Sequence, residues 1–64
     1  MNPYLKVLEM KYEADIELIQ LNLKNYLDNA VAVAEHPDIV KDIDDLVSSL
    51  AAAQEKLNTI QGMF

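Results

Sequence analysis

The stretch from Tyr4 to Leu27, YLKVLEMKYEADIELIQLNLKNYL, decides the fold. At helical spacing it carries two separate apolar stripes, where an ordinary surface helix carries one. The main stripe is Leu5, Leu8, Tyr12, Ile16, Ile19, Leu23 and Tyr26, continuing to Ala30 and Val33 at mostly alternating steps of 3 and 4. Two successive steps of 4 between Leu8 and Ile16 insert a stutter, which locally unwinds a supercoil. The second stripe is Val7, Met10, Ala14, Leu18 and Leu21, and at roughly 100° per residue it lies on the far side of the same helix. A helix apolar on two sides has two partners.

The first partner is the second half of the chain. Asn2 suits an N-cap and Pro3 a first helical position, and no Gly or Pro follows before Ala34, so helix one is expected over about 3–34. Glu35-His36-Pro37-Asp38 is the internal break. Proline disfavours the α conformation at the residue before it and can open the next helix, which puts a turn at 35–37. Helix two is expected over about 38–61, with Gly62 as a natural C′ residue. Its seam is Ile39, Ile43, Leu46, Leu50, Ala53, Leu57 and Ile60, an unbroken alternation of 4 and 3. Val40 and Val47 widen one side of that seam and Phe64 adds a further step, while the other face of helix two reads as solvated.

So short a connection makes the helices antiparallel neighbours. Folding about His36 sets Val33 opposite Ile39, Tyr26 opposite Leu46, Ile19 opposite Ala53, Tyr12 opposite Ile60 and Leu8 opposite Phe64. The expected fold is all-α, a single-domain antiparallel αα-hairpin over 1–64 that assembles into a four-helix bundle as a dimer.

Length and composition lead to the same place. A chain of 64 residues buries only about 60% of the surface its unfolded form exposes, and needs a further source of stability. It has no cysteine, which excludes disulfides and thiolate metal sites and leaves association as the common alternative. The hydrophobic share of 52% marks a folded chain. A net charge of -6, with no arginine among its basic residues, argues against direct binding of nucleic acid or of an anionic membrane surface. There is no apolar run of membrane-spanning length and no secretory pattern in Met1 to Met10, so a cytoplasmic location, of a cell or of an infected host cell, is expected.

Candidate chemistry is sparse. His36 is the only histidine and stands beside a proline in the turn with no cysteine or arginine to work with, so no enzyme, catalytic residue, metal site or cofactor is expected. Asp38, Asp42, Asp44 and Asp45 cluster near the start of helix two as a candidate acidic partner patch. Tyr12 and Tyr26 belong to the rim of the seam, with buried rings and wet hydroxyls, whereas Tyr4 overhangs helix two and is a candidate contact with another chain. Together with Tyr4, the stripe Val7, Met10, Ala14, Leu18 and Leu21 is the candidate protein interface. The function expected is therefore interaction or assembly: a homo-oligomeric hairpin acting as scaffold, adaptor or structural component of a bacterial or viral complex. The alternative is a small acidic inhibitor or regulator of a basic site on an enzyme or nucleic-acid-binding protein.

Overall fold

A computed structural model describes residues 2–29 and 38–64, and in them the chain forms two helices and no strand. Helix α1 spans Pro3–Asp28 and helix α2 spans Ile39–Gln61. The start of α1 is as the residue types dictate. Asn2 is extended (φ -66°, ψ 126°) and its side-chain oxygen accepts the Tyr4 N–H at 2.8 Å, while Pro3 sits where a missing N–H costs nothing.

The helix closes earlier than its periodicity suggests. Asn29 leaves the helical conformation (φ -106°, ψ 14°), and both its backbone N–H and its side-chain amide donate to the Asn25 carbonyl, at 3.2 and 2.7 Å. A side chain that bonds its own backbone offers the chain an alternative to the helical ladder. Of the expected 3–34, helix α1 occupies Pro3–Asp28 with Asn29 as its C-cap, and 30–34 lies outside the described residues. Ala30, Val33 and the 35–37 turn with His36 and Pro37 lie outside the described residues.

At the head of α2, Asp38 is the N-cap residue, and its carbonyl accepts the Asp42 N–H at 2.9 Å. Asp38 and Asp42 both stand where the positive end of the helix dipole favours acids. The other end corrects a second expectation. Gly62 is the C-cap and stays right-handed at φ -70°, so its freedom to turn left-handed is not used. The chain finishes instead by tightening: Met63 N–H reaches the Ile60 carbonyl at 3.0 Å and Phe64 N–H the Gln61 carbonyl at 3.4 Å, both three residues back.

The helices pack along their length into a rod of 49 × 14 × 12 Å. Three shared grooves give the antiparallel register. Tyr26 and Leu46 line one, Ile19 and Ala53 the next, Tyr12 and Ile60 the third, as folding at a single break requires. Every seam residue from Leu5 to Tyr26 and from Ile39 to Ile60 is at least part-buried. Among the described residues, though, only Ala53 and Ile60 are buried, each still 7% exposed. Helix α1 covers α2 from one direction only, so most seam side chains keep an edge in water. Val40 and Val47, expected to widen the seam, are exposed, since they sit on a flank of α2 that α1 does not reach.

Ion pairs add little to this. Lys6–Glu9, Lys11–Asp15, Lys24–Asp28 and Lys41–Asp45 lie at 2.7 to 3.0 Å along single helices. Apart from Glu9, whose side chain is largely covered, the partners are exposed, and the lysine precedes its acid in each, the weaker orientation relative to the dipole. Apolar burial on the seam carries the hairpin. Ile60→Ala should accordingly cost about 2–4 kcal/mol. By contrast Gly62→Ala should stabilise by about 0.4–1 kcal/mol, because the chain angle is already compatible with a side chain. The added Cβ would meet only Thr59 O at 3.5 Å and Asn58 O at 3.7 Å. Thermal unfolding of both variants at matched protein concentration checks the pair.

Candidate interaction surfaces

The outer face of α1 is where the second stripe predicted it. Val7 (64% exposed), Met10 (58%) and Leu21 (54%) turn away from α2, Leu18 (58%) is as open but borders the groove shared with Ala52 and Ala53, and Ala14 between them is open too. Helical geometry explains the placement: a stripe centred about half a turn from the seam points away from the helix that the seam packs against, and only its Leu18 edge reaches the groove. No charge interrupts this face. Lys6, Glu13, Glu17 and Lys24 run along one edge and Lys11 and Asn22 along the other.

Tyr4 is 80% exposed. Because Tyr12 stands level with Ile60, Tyr4 projects two helical turns further, past the end of α2 at Gln61. Met63 and Phe64 are themselves exposed there and cover it poorly. A third apolar set was not expected as a surface. Leu27, Val40 and Val47 are exposed, and helical spacing puts all three on the flank opposite the shared grooves. Their sequence signal is faint: Leu27 falls one residue off the main stripe, and the two valines sit at a seam edge.

In total the chain exposes 4812 Å². A folded monomer of 7.2 kDa is expected to expose about 4100 Å². The excess of about 700 Å² is close to the ~800 Å² that one partner contributes to a standard interface.

The lysines and part of the acidic patch are occupied within the chain. Between the helices lies an open groove of about 660 Å³, lined by Asn22, Asn25, Tyr26, Asp42, Leu46 and Ser49. Into it the Tyr26 hydroxyl donates a hydrogen bond to the Asp42 carboxylate. Asp42 therefore belongs partly to the helix–helix contact and not to a freely solvated face, and the Tyr26 hydroxyl is not a wet one. Asp45 pairs with Lys41 at 2.8 Å, and Asp44 is exposed. Of the acidic patch, Asp42 and Asp45 are thus engaged at home. All five lysines are engaged as well: four in the ion pairs above, and Lys56 over the Tyr12 ring at 5.9 Å, with Lys11 also over that ring at 5.7 Å.

The described residues hold no cluster of three or more His, Cys, Asp or Glu suited to a metal ion. No helix among them is long and apolar enough to cross a membrane. His36 lies outside the described residues.

The hydrogen bond to Asp42 holds the Tyr26 phenol above its ordinary value of 10.0, aided by desolvation and by the negative charges of Asp42 and Asp38. The sign follows. A group whose folded pKa is raised stabilises the fold below its unfolded pKa, and that stabilisation is lost as pH rises through the folded value. Relative to Tyr26→Phe, the native chain should be more stable at neutral pH, and the difference should vanish well above pH 10. Thermal melts of both proteins across the alkaline range test this. Comparison with known proteins gives no match: no family model, no curated protein and no solved structure aligns with this chain.

Proposed function

We propose that this chain is a non-enzymatic protein–protein interaction or assembly protein, a homo-oligomeric helical hairpin that works as scaffold, adaptor or structural component of a bacterial or viral complex in the cytoplasm of a cell or infected host cell. The observation that carries this reading is the outer face of α1, where Val7, Met10, Ala14, Leu18 and Leu21 stand open at regular helical spacing. An apolar strip without charges over 15 residues is what a partner helix buries. The shallow seam adds to it: among the described residues only Ala53 and Ile60 are buried, so the hairpin gains from any further apolar burial, that of this strip included. A dimer of hairpins, four helices in all, is the simplest assembly that supplies it.

The acidic inhibitor reading has less support. It draws on Asp38, Asp42, Asp44 and Asp45, and Asp42 and Asp45 already answer Tyr26 and Lys41. The two readings part on one measurement. Sedimentation at micromolar concentration should give an oligomer, and Leu18→Asp should weaken it roughly a hundredfold by burying an unpaired charge. Asp42→Lys with Asp45→Lys should leave it assembled. A folded monomer indifferent to Leu18→Asp would sink the assembly reading.

A further inference from the structure

The outer face of α1 reads the same in both directions. Val7, Met10, Ala14, Leu18 and Leu21 follow at steps of 3, 4, 4 and 3, a palindrome centred on Ala14. When a helix lies antiparallel on its own copy about a two-fold axis, positions equidistant from the centre meet. Here Val7 meets Leu21 of the second copy, Met10 meets Leu18, and Ala14 meets Ala14. Each apolar side chain finds an apolar partner, and the smallest stands where the two backbones come closest.

We propose that the chain forms a two-fold symmetric dimer by antiparallel packing of α1 on α1 of a second copy, with Ala14 on the axis and each α2 on the outside. The inference rests on the homo-oligomer reading above and adds to it the partner's orientation and register. It places the four helices side by side as α2, α1, α1, α2, because the stripe facing the copy is half a turn from the stripe facing α2.

Two further observations support a second copy as the occupant. The surface in excess of a folded monomer, about 700 Å², matches the share that one partner gives to a standard interface. Charge is complementary along one edge. Lys11 and Asp15 are paired at 2.7 Å within a chain and straddle the centre. The two-fold brings Lys11 beside Asp15 of the second copy, so that four charges alternate. On the other edge, at the same two-residue offset, Glu17 comes beside Glu13 of the second copy and Lys6 beside its Lys24, exposed repulsions that salt screens and that are small beside the apolar area covered. Because the two-fold contact uses up the face on both copies, it closes at two chains and does not propagate into a filament.

The absence of cysteine makes the test clean, since each substitution introduces the only thiol. The full chain is prepared as Ala14→Cys, Val7→Cys, Leu21→Cys, Met10→Cys and Leu18→Cys, all at exposed positions, with circular dichroism to confirm folding. Each is mildly oxidised and its covalent dimer is quantified. A disulfide requires the two Cα atoms to lie within about 7 Å, so cross-linking reports register. Ala14→Cys should cross-link with itself to near completion. Val7→Cys should not, but should do so when mixed with Leu21→Cys; Met10→Cys with Leu18→Cys is an independent pair. If sedimentation shows a dimer in which Val7→Cys joins itself and the mixed pairs do not, the contact is parallel and the orientation proposed here is wrong. A dimer in which no variant cross-links uses another surface and overturns the proposal as well. Both of those results leave the assembly reading standing, whereas native chain and variants that stay monomeric throughout overturn the two together.

Discussion

One helix can cover only one side of another, and this limit shapes the whole molecule. Helix α1 and helix α2 meet along facing stripes, and each seam side chain is shielded from one direction. Most leucines and isoleucines that would be sealed in a larger domain stay part-buried, and among the described residues only Ala53 and Ile60 are buried, neither completely. Hydrophobic stabilisation scales with the area taken out of water, so a two-helix rod gains less per residue than a bundle. The outer face of α1 is the corresponding debt in geometric form: apolar surface that α2 does not cover.

The polar chemistry is turned inward in a different sense. Lysines answer acids one turn along their own helix, Lys56 and Lys11 lie over the Tyr12 ring, and the Tyr26 hydroxyl closes on Asp42 across the groove. Exposed ion pairs of this kind contribute little to stability. They do engage the lysines, while Glu13, Glu17, Asp44 and Glu55 stay exposed without an ion pair among the described residues, so beside a surplus of acids the apolar strip is the most distinctive surface. The Tyr26–Asp42 contact ties the two helices near one end of the rod, where α1 has almost finished and α2 has just begun.

Much of this was legible in the residues. The seam positions were readable because a repeat of 3 and 4 is a direct consequence of 3.6 residues per turn, and the register followed from there being one break in the chain. Tyr26 with Leu46, Ile19 with Ala53 and Tyr12 with Ile60 share grooves as that register requires. Periodicity was a poorer guide to helix ends. It ran past Asp28, where Asn29 instead folds its amide onto the Asn25 carbonyl, and it read Gly62 as a left-handed stop that the backbone does not need. It also misjudged width: Val40 and Val47 belong to the apolar sector of α2 by spacing, yet a single neighbouring helix does not extend far enough round to cover them. Asp42 was misread for the same kind of reason, since its place on a charged face says nothing about a tyrosine arriving from the other helix.

What the sequence determined by itself was local: two helices, the cap at Asn2, a seam on each helix, and a second stripe on the first. Those properties depend on neighbours a few residues away, so one dimension is enough to state them. The tertiary structure decided which apolar residues are covered and which stay open, which acids are engaged, and how shallow the core is. Burial and pairing are set by groups remote along the chain and by the solid angle one helix subtends at another. Only the packed hairpin brings those together.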